Sequence, residues 1–293
     1  METASLRTVC HNVVHLRAKP GNDSELVSQV LMGQTMRVLK EENGWAYVEG
    51  EDTYRGWADS RFLGEHVTDE LEPVAVPFAE LRRDPDFQAP LVLRVPMFVR
   101  LRIIRATENG WIETATPDRA VIGYLPATSG AFQPLSEVPL ADKTAVAATF
   151  SQQFLGTPYL WGGSSSFGLD CSGFVQYVYR MVGIELRRDA DIQRDDPRFV
   201  PAPVADVAKA GDDLLPGDLV FFGKPVGRNG VAPAITHVGM HLDGNRFIHS
   251  AGGAGVIVTE WGDSRYSPGF VDARRLNSAK AHEPVTRFDS ETR

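Results

Sequence analysis

The sequence predicts an α+β domain preceded by two small all-β barrels. Three observations predict it: a motif repeated in the first half, an amphipathic helix pattern that opens on Cys171, and a hairpin pattern with three histidines between 235 and 253. The chain has 293 residues, enough for two or three domains that each bury a core. Its net charge of -8 argues against a general nucleic-acid or anionic-membrane binder, which needs a basic surface.

The most apolar stretch, "PLVLRVPMFVRLRII", is broken by Arg94, Arg100 and Arg102 and falls short of the roughly 20 apolar residues of a membrane span. The start, "METASLRTVCHNVVHLRAKPG", lacks a positive segment followed by a long apolar run, so no secretory signal is expected and the chain reads as soluble and cytoplasmic. Cys10 and Cys171 could form at most one bridge, and an intracellular chain keeps its thiols reduced.

The repeat pairs "RVLKEENGWAYVE" (37–49) with "RIIRATENGWIET" (102–114). "ENGW" starts at 42 and again at 108, and 108 minus 42 is 66 residues, one small domain per copy. Each copy is followed by a glycine-aromatic pair, Gly56-Trp57 and Gly123-Tyr124. Short alternating runs punctuated by Gly, Asn and Pro make both copies small antiparallel barrels. The expected divisions are 1–70, 71–135, 136–276 and a polar tail from 277 to 293. A Pro-rich linker, "FQPLSEVPLAD", leads to a helix that Asp142 is placed to cap, with Val146, Phe150 and Phe154 on one face and Gly156 to end it.

From Cys171, apolar residues at 174, 175, 178, 181 and 182 follow helical spacing, Gly183 comes after, and Asp170 is the natural N-cap. A thiolate at that point faces unpaired N–H groups and the positive end of the helix, which lower a cysteine pKa. Taken alone, a cysteine on an apolar helix is more often a core residue, since free Cys is among the most buried residue types. A partner decides between the two, because thiol catalysis needs a base, normally His, and a group to orient it.

The segment "ITHVGMHLDGNRFIHSAGG" supplies His237, His241 and His249 on a hairpin that turns at Asp243-Gly244-Asn245. A two-residue loop at 244 and 245 would set 249 opposite 240 and send His249 away from His237. A three-residue loop sets 249 opposite 239 and makes the two diagonal neighbours on one face. A catalytic pairing thus requires the odd loop; His241 shares the face of His237 but lies nearer the turn, where exposure is expected.

These residues match a known pattern. "PYLWGG", "LDCSGFVQYVYRMVGIELRRDADIQ", "LLPGDLVFF" and "THVGMHLDGNRFIHSAGGAGV" resemble, in order and over roughly 140–275, the NlpC-type cell-wall peptidases, a branch of the papain-like cysteine peptidases. Residues 14–57, and less fully 73–130, resemble bacterial SH3-like domains. The resemblance implies a papain-like α+β catalytic domain preceded by two SH3-like barrels, with Cys171 as nucleophile, His237 as general base and His249 as the residue that orients it. It also implies that Tyr159, Asp170 and Ser172 line the substrate pocket.

Family members cleave peptidoglycan stem peptides, commonly after γ-D-glutamate and before a diamino acid, and no metal or organic cofactor is implied. In relatives with this architecture the first barrel closes one end of the cleft. Tyr54 then matches an aromatic that such relatives point into the cleft, and Glu25 is the acidic residue expected to pair with the free ammonium of an N-terminal L-alanine, in keeping with murein-peptide recycling. The expected partner is a peptidoglycan-derived L-Ala-γ-D-Glu-diamino acid peptide, with no nucleic acid and no membrane. Two rival readings are acyl transfer or deamidation through the same thioester, and a non-catalytic protein that binds wall fragments. The stretch "RDDPRFVPAPVADVAKAGDD" is longer and more acidic than in a minimal member and is expected to be a solvated insertion or a loop over the cleft.

Overall fold

A computed structural model describes residues 5–132, 139, 142–224, 234–281 and 283. Most of the Pro-rich linker and of the polar tail lies outside the described residues. The chain divides into two compact units, one of residues 1–135 with 161–167 and one of residues 136–160 with 168–293.

The first unit holds two antiparallel sheets. Strands β1 (Leu6–Val9), β2 (Val13–Arg17), β3 (Leu26–Leu31), β4 (Thr35–Glu42), β5 (Trp45–Glu49), β6 (Arg55–Asp59) and β7 (Leu63–Glu65) run in the order β3-β2-β6-β5-β4-β1-β7. Strands β8 (Glu72–Pro73), β9 (Phe78–Arg82), β10 (Leu91–Pro96), β11 (Arg100–Ala106), β12 (Trp111–Ala115) and β13 (Ile122–Pro126) run β10-β9-β13-β12-β11-β8. The second order reproduces the first except for β7, which has no counterpart in the six-stranded sheet.

The sequence repeat has a steric cause. A Cβ on Gly56 would lie 2.8 Å from the Leu16 Cβ, and one on Gly123 would lie 2.9 Å from the Leu81 Cβ and 3.1 Å from the Arg82 carbonyl oxygen. At the same corners Arg17 pairs with Trp57 and Arg82 with Tyr124. Only glycine lets the two strands cross so closely. The identical "ENGW" segments nevertheless turn differently. Glu42 pairs with Trp45 around Asn43 and Gly44, both at positive φ (51° and 81°), a two-residue hairpin loop. In the second copy the Thr107 N–H donates to the Trp111 carbonyl and Gly110 alone has positive φ (80°), a three-residue loop. Thr107 decides this, since its hydroxyl also donates to the Asn109 side chain and accepts from the Trp111 N–H.

In the second unit, strands β16 (Phe199–Ala202), β17 (Leu219–Lys224), β18 (Ala234–Asp243), β19 (Arg246–Ala251), β20 (Gly255–Glu260) and β21 (Phe270–Leu276) form an antiparallel sheet in the order β16-β21-β17-β18-β19-β20. The short strands β14 (Ser164–Ser165), which belongs to the first unit, and β15 (Gly168–Leu169), which belongs to the second, precede Cys171 in the chain. Helices α1 (Lys143–Ser151) and α2 (Cys171–Met181) pack on each other and on β18, with the shorter α3 (Ala190–Arg194) beside them.

Helix α2 starts where its capping residue predicts: Asp170 accepts the Gly173 N–H at 2.7 Å, and Gly183 follows the helix at φ 72°. Helix α1 differs from expectation. Asp142 sits at its start without a capping hydrogen bond, and the buried positions are Ala147, Ala148, Ser151 and Phe154, whereas Val146 and Phe150 are only half-buried. Small residues let α1 lie close to its neighbours, so the deepest stripe is not the largest one.

In the stretch expected as a solvated insertion or a loop over the cleft, the first part joins the folded body, while Asp206, Lys209, Asp212 and Asp213 are exposed as a solvated insertion would be. The Phe199–Ala202 segment becomes an edge strand paired to β21, and Asp196 with Arg198 forms a buried ion pair at 2.6 Å just before it. Among the described residues no helix is long and apolar enough to cross a membrane.

Candidate active site

Cys171 is the first residue of α2, and the N–H groups of Ser172 and of Val238 point at its sulfur. Strand β18 therefore delivers the backbone next to His237 directly to the thiol. On that strand His237 pairs with Phe222 of β17.

The register that brings His249 to His237 arises in an unexpected way. The loop has two residues, since Asp243 pairs with Arg246, but a bulge at Leu242 shifts the ladder so that His241 pairs with Phe247 and Met240 with Ile248. One inserted residue has the same effect on side-chain facing as a three-residue loop. Gly239 consequently stands opposite His249, where a Cβ would lie 3.1 Å from the His249 Cβ. The glycine leaves room for the diagonal contact: His237 Nε2 and His249 Nδ1 are 2.7 Å apart, with ring planes at 85°.

His241 is the clear departure among the histidines. It was expected at the surface and is buried, with its Nδ1 accepting from the Trp261 indole N–H at 3.3 Å. On the face that His241 shares with His237, an aromatic cluster of Phe222, Phe247, Trp261 and Phe270 covers this end of the sheet. Tyr266 adds a lid: its ring is 5.8 Å from His237 and 4.6 Å from His249.

Burial dominates the electrostatics. It pushes the Cys171 thiol up to about 11, with the Asp170 charge acting the same way, against the two N–H groups and Arg188. Helix-start N–H groups do favour the thiolate, as their position predicts, but they are outweighed. Burial also pushes His237 down to about 4 and His249 to about 3. At neutral pH the resting pair is therefore a thiol beside an uncharged imidazole.

The same shifts set a stability window. Unfolded histidines take up protons below about 6.5, while these two refuse them until pH nears 4 and 3. The unfolded state thus binds more protons between those limits, and stability, full above pH 6.5, must fall on acidification. For the fully buried His249 the loss at pH 5 is about 2 kcal/mol relative to pH 7.5, measurable as a lower urea midpoint. A His249→Asn variant is expected to show a shallower decline, and an unchanged one would refute the assignment.

Asp170, Ser172 and Tyr159 lie around Cys171. Tyr159 is pushed up to about 12, by burial and by the Cys171 and Asp170 charges. The Asp170 and Ser172 side chains are engaged internally by a residue that the sequence reading did not single out. Buried Arg188 donates to both carboxylate oxygens of Asp170, at 3.0 and 2.6 Å, and to the Ser172 hydroxyl at 2.9 Å. Gln193 adds a bond to the Ser172 carbonyl at 3.0 Å. Two further residues were missed, Tyr266 and Thr259, whose Oγ1 lies 2.9 Å from His249 Nε2. Alternation along "GVIVTE" was the one available signal for Thr259.

Glu25 and Tyr54 belong to the other compact unit. There Glu25 is exposed and accepts the Trp161 indole N–H at 2.9 Å, while Tyr54 packs partly buried against the first barrel's core.

A thiol at a helix start, against an antiparallel sheet that carries a hydrogen-bonded imidazole pair, defines the class: a papain-like thiol peptidase. The chain belongs to the NlpC/P60 family, whose profile matches residues 156–275, and the bacterial SH3 domain profile matches residues 12–64. It is 28% identical over 246 residues to a gamma-D-glutamyl-L-lysine dipeptidyl-peptidase of Bacillus subtilis (strain 168), covering 78% of this chain and 73% of that one. It is 34% identical over 145 residues to the probable endopeptidase NlpC of Escherichia coli (strain K12), covering 47% of this chain and 82% of that one. A solved NlpC/P60 family protein from Bacillus cereus ATCC 10987 shares the fold, with a TM-score of 0.73 at 22% identity over 93% of this chain and 99% of that one.

Proposed function

We propose that this peptidase hydrolyses the bond between γ-D-glutamate and a diamino acid in peptidoglycan stem peptides whose N-terminal L-alanine is free. The observation that carries the catalytic part is the 2.7 Å contact between His237 and His249 on the strand whose Val238 N–H meets the Cys171 sulfur. In this reading the thiol proton passes to His237 as sulfur attacks the scissile carbonyl. The imidazolium then protonates the leaving amine, and the neutral ring activates water against the thioester. His249 holds the His237 ring through its Nε2.

The Gly173 N–H is taken by Asp170 and the Ser172 N–H by the sulfur. The Cys171 N–H at the helix start is the group we assign to the oxyanion. Tyr159 lines the pocket, with Asp170 and Ser172 flanking the nucleophile and held by Arg188.

The specificity part rests on the dipeptidyl-peptidase names of relatives that cover most of the chain. Glu25 is the carboxylate we assign to the alanine ammonium, with Tyr54 as its aromatic companion. A carboxylate accepts several hydrogen bonds, so the Trp161 contact leaves it able to take an ammonium. The barrel of residues 71–135 is read as a second SH3-like domain on its strand order. Stem peptides with a free alanine amine are products of wall breakdown, which fits a cytoplasmic role in recycling.

The test compares L-Ala-γ-D-Glu-L-Lys with its N-acetyl form. An unpaired buried charge costs several kcal/mol, so the free peptide is expected to be cleaved at least about 100-fold faster, after γ-D-glutamate. Comparable rates would overturn the free-amine requirement.

A further inference from the structure

Thr259 reaches the site by register. His249 pairs with Ile257 and Phe247 with Thr259, so Thr259 and His249 leave the sheet on one face as diagonal neighbours. His237, His249 and Thr259 therefore form a line across three adjacent strands, joined at 2.7 and 2.9 Å. Its inner members are sealed from water, with His249 at 0% and Thr259 at 5% exposure.

The line becomes directional once charge develops. When the S–H bond breaks and the proton joins His237 Nδ1, both ring nitrogens of His237 are donors. Its Nε2–H must then be accepted by His249 Nδ1. His249 has one proton as a neutral ring, and that proton must sit on Nε2, facing Thr259 Oγ1. A hydroxyl accepts it, whereas a methyl group cannot. The neutral His237 that accepts at Nδ1 already carries its proton on Nε2, so the same His249 tautomer is needed before the transfer, and the chain of donors tightens as His237 becomes charged.

We propose that Thr259 is a positioning residue for proton transfer: its Oγ1 accepts from His249 Nε2–H and holds His249 in the tautomer whose Nδ1 receives the His237 imidazolium. This rests on the assignment of Cys171 and His237 above. Because the contact matters more in the transition state than with substrate merely bound, its loss falls on kcat rather than KM.

The test places Thr259→Val and Thr259→Ser beside Cys171→Ala in the full chain, with the free-amine tripeptide as substrate. Thr259→Val is expected to lower kcat by about 10-fold to 100-fold, with KM within about twofold. Thr259→Ser, which keeps the oxygen, should stay within about threefold of the parent. Nitrogen-15 NMR of the histidine rings should show the His249 proton on Nε2 in the parent, and that preference reduced in the Val variant. An unchanged kcat in Thr259→Val, with Cys171→Ala inactive, overturns this inference alone. An equal loss in the Ser variant assigns the effect to packing and overturns it too. Should the Val variant not fold, a parent His249 protonated on Nδ1 decides against the proposal. An active Cys171→Ala overturns the underlying reading first.

Discussion

Cys171→Ala is expected to leave a folded protein that cleaves stem peptide at least about 10⁴-fold more slowly than the parent. In the proposed mechanism the sulfur is the atom that bonds to the carbonyl, and alanine offers no nucleophile in its place. The substitution removes little volume from the N-terminus of α2, and the cap from Asp170 to the Gly173 N–H does not involve the sulfur. Fold should therefore survive. The measurement is product formation by mass spectrometry beside a thermal unfolding curve. Activity above about one-hundredth of the parent would remove Cys171 from the nucleophile's role, even if the family assignment stood.

The second large effect is on stability. Arg188 is 1% and Asp170 11% exposed at the side chain, with 2.6 Å between them. Arg188→Met strands a carboxylate that has lost its cation inside the protein, which costs about 3–5 kcal/mol. Helix α2 then starts on an uncompensated charge beside Cys171. The expected result is a urea midpoint far below the parent's. The double variant Asp170→Asn with Arg188→Met should recover part of the loss, because both charges go together. A single variant as stable as the parent would show that the pair carries no net weight.

The helix at Cys171 and the glycine corners of the repeat were legible in the sequence, because each follows from local chemistry. A capping carboxylate, a helical apolar stripe and a glycine beside an aromatic report their geometry within a few residues. Cys171 and His237 stand out as candidates for the same reason, through motifs that match a family in order.

Other features depended on partners distant in sequence. Identical "ENGW" segments turn differently because one follows Glu41 and the other Thr107, whose side chain rewires the loop. The stretch after "ADIQ" reads as a solvated insertion or a loop over the cleft, yet β21 offers an open edge and Phe199–Ala202 pairs with it as a strand. His241 looks exposed beside a turn, and an aromatic cluster assembled from three strands and a loop buries it.

By itself, then, the sequence determined where helix α2 begins, which thiol heads it and which histidines share a hairpin, since those depend on neighbours along the chain. Only the tertiary structure decided that a bulge at Leu242 sets the histidine register, that Arg188 holds Asp170 and Ser172, and that Thr259 stands behind His249. It also reversed the expected direction for the thiol. Helix-start N–H groups act over one turn and were foreseeable, but burial sums over every atom packed around the sulfur, and that sum exists only once the chain has folded.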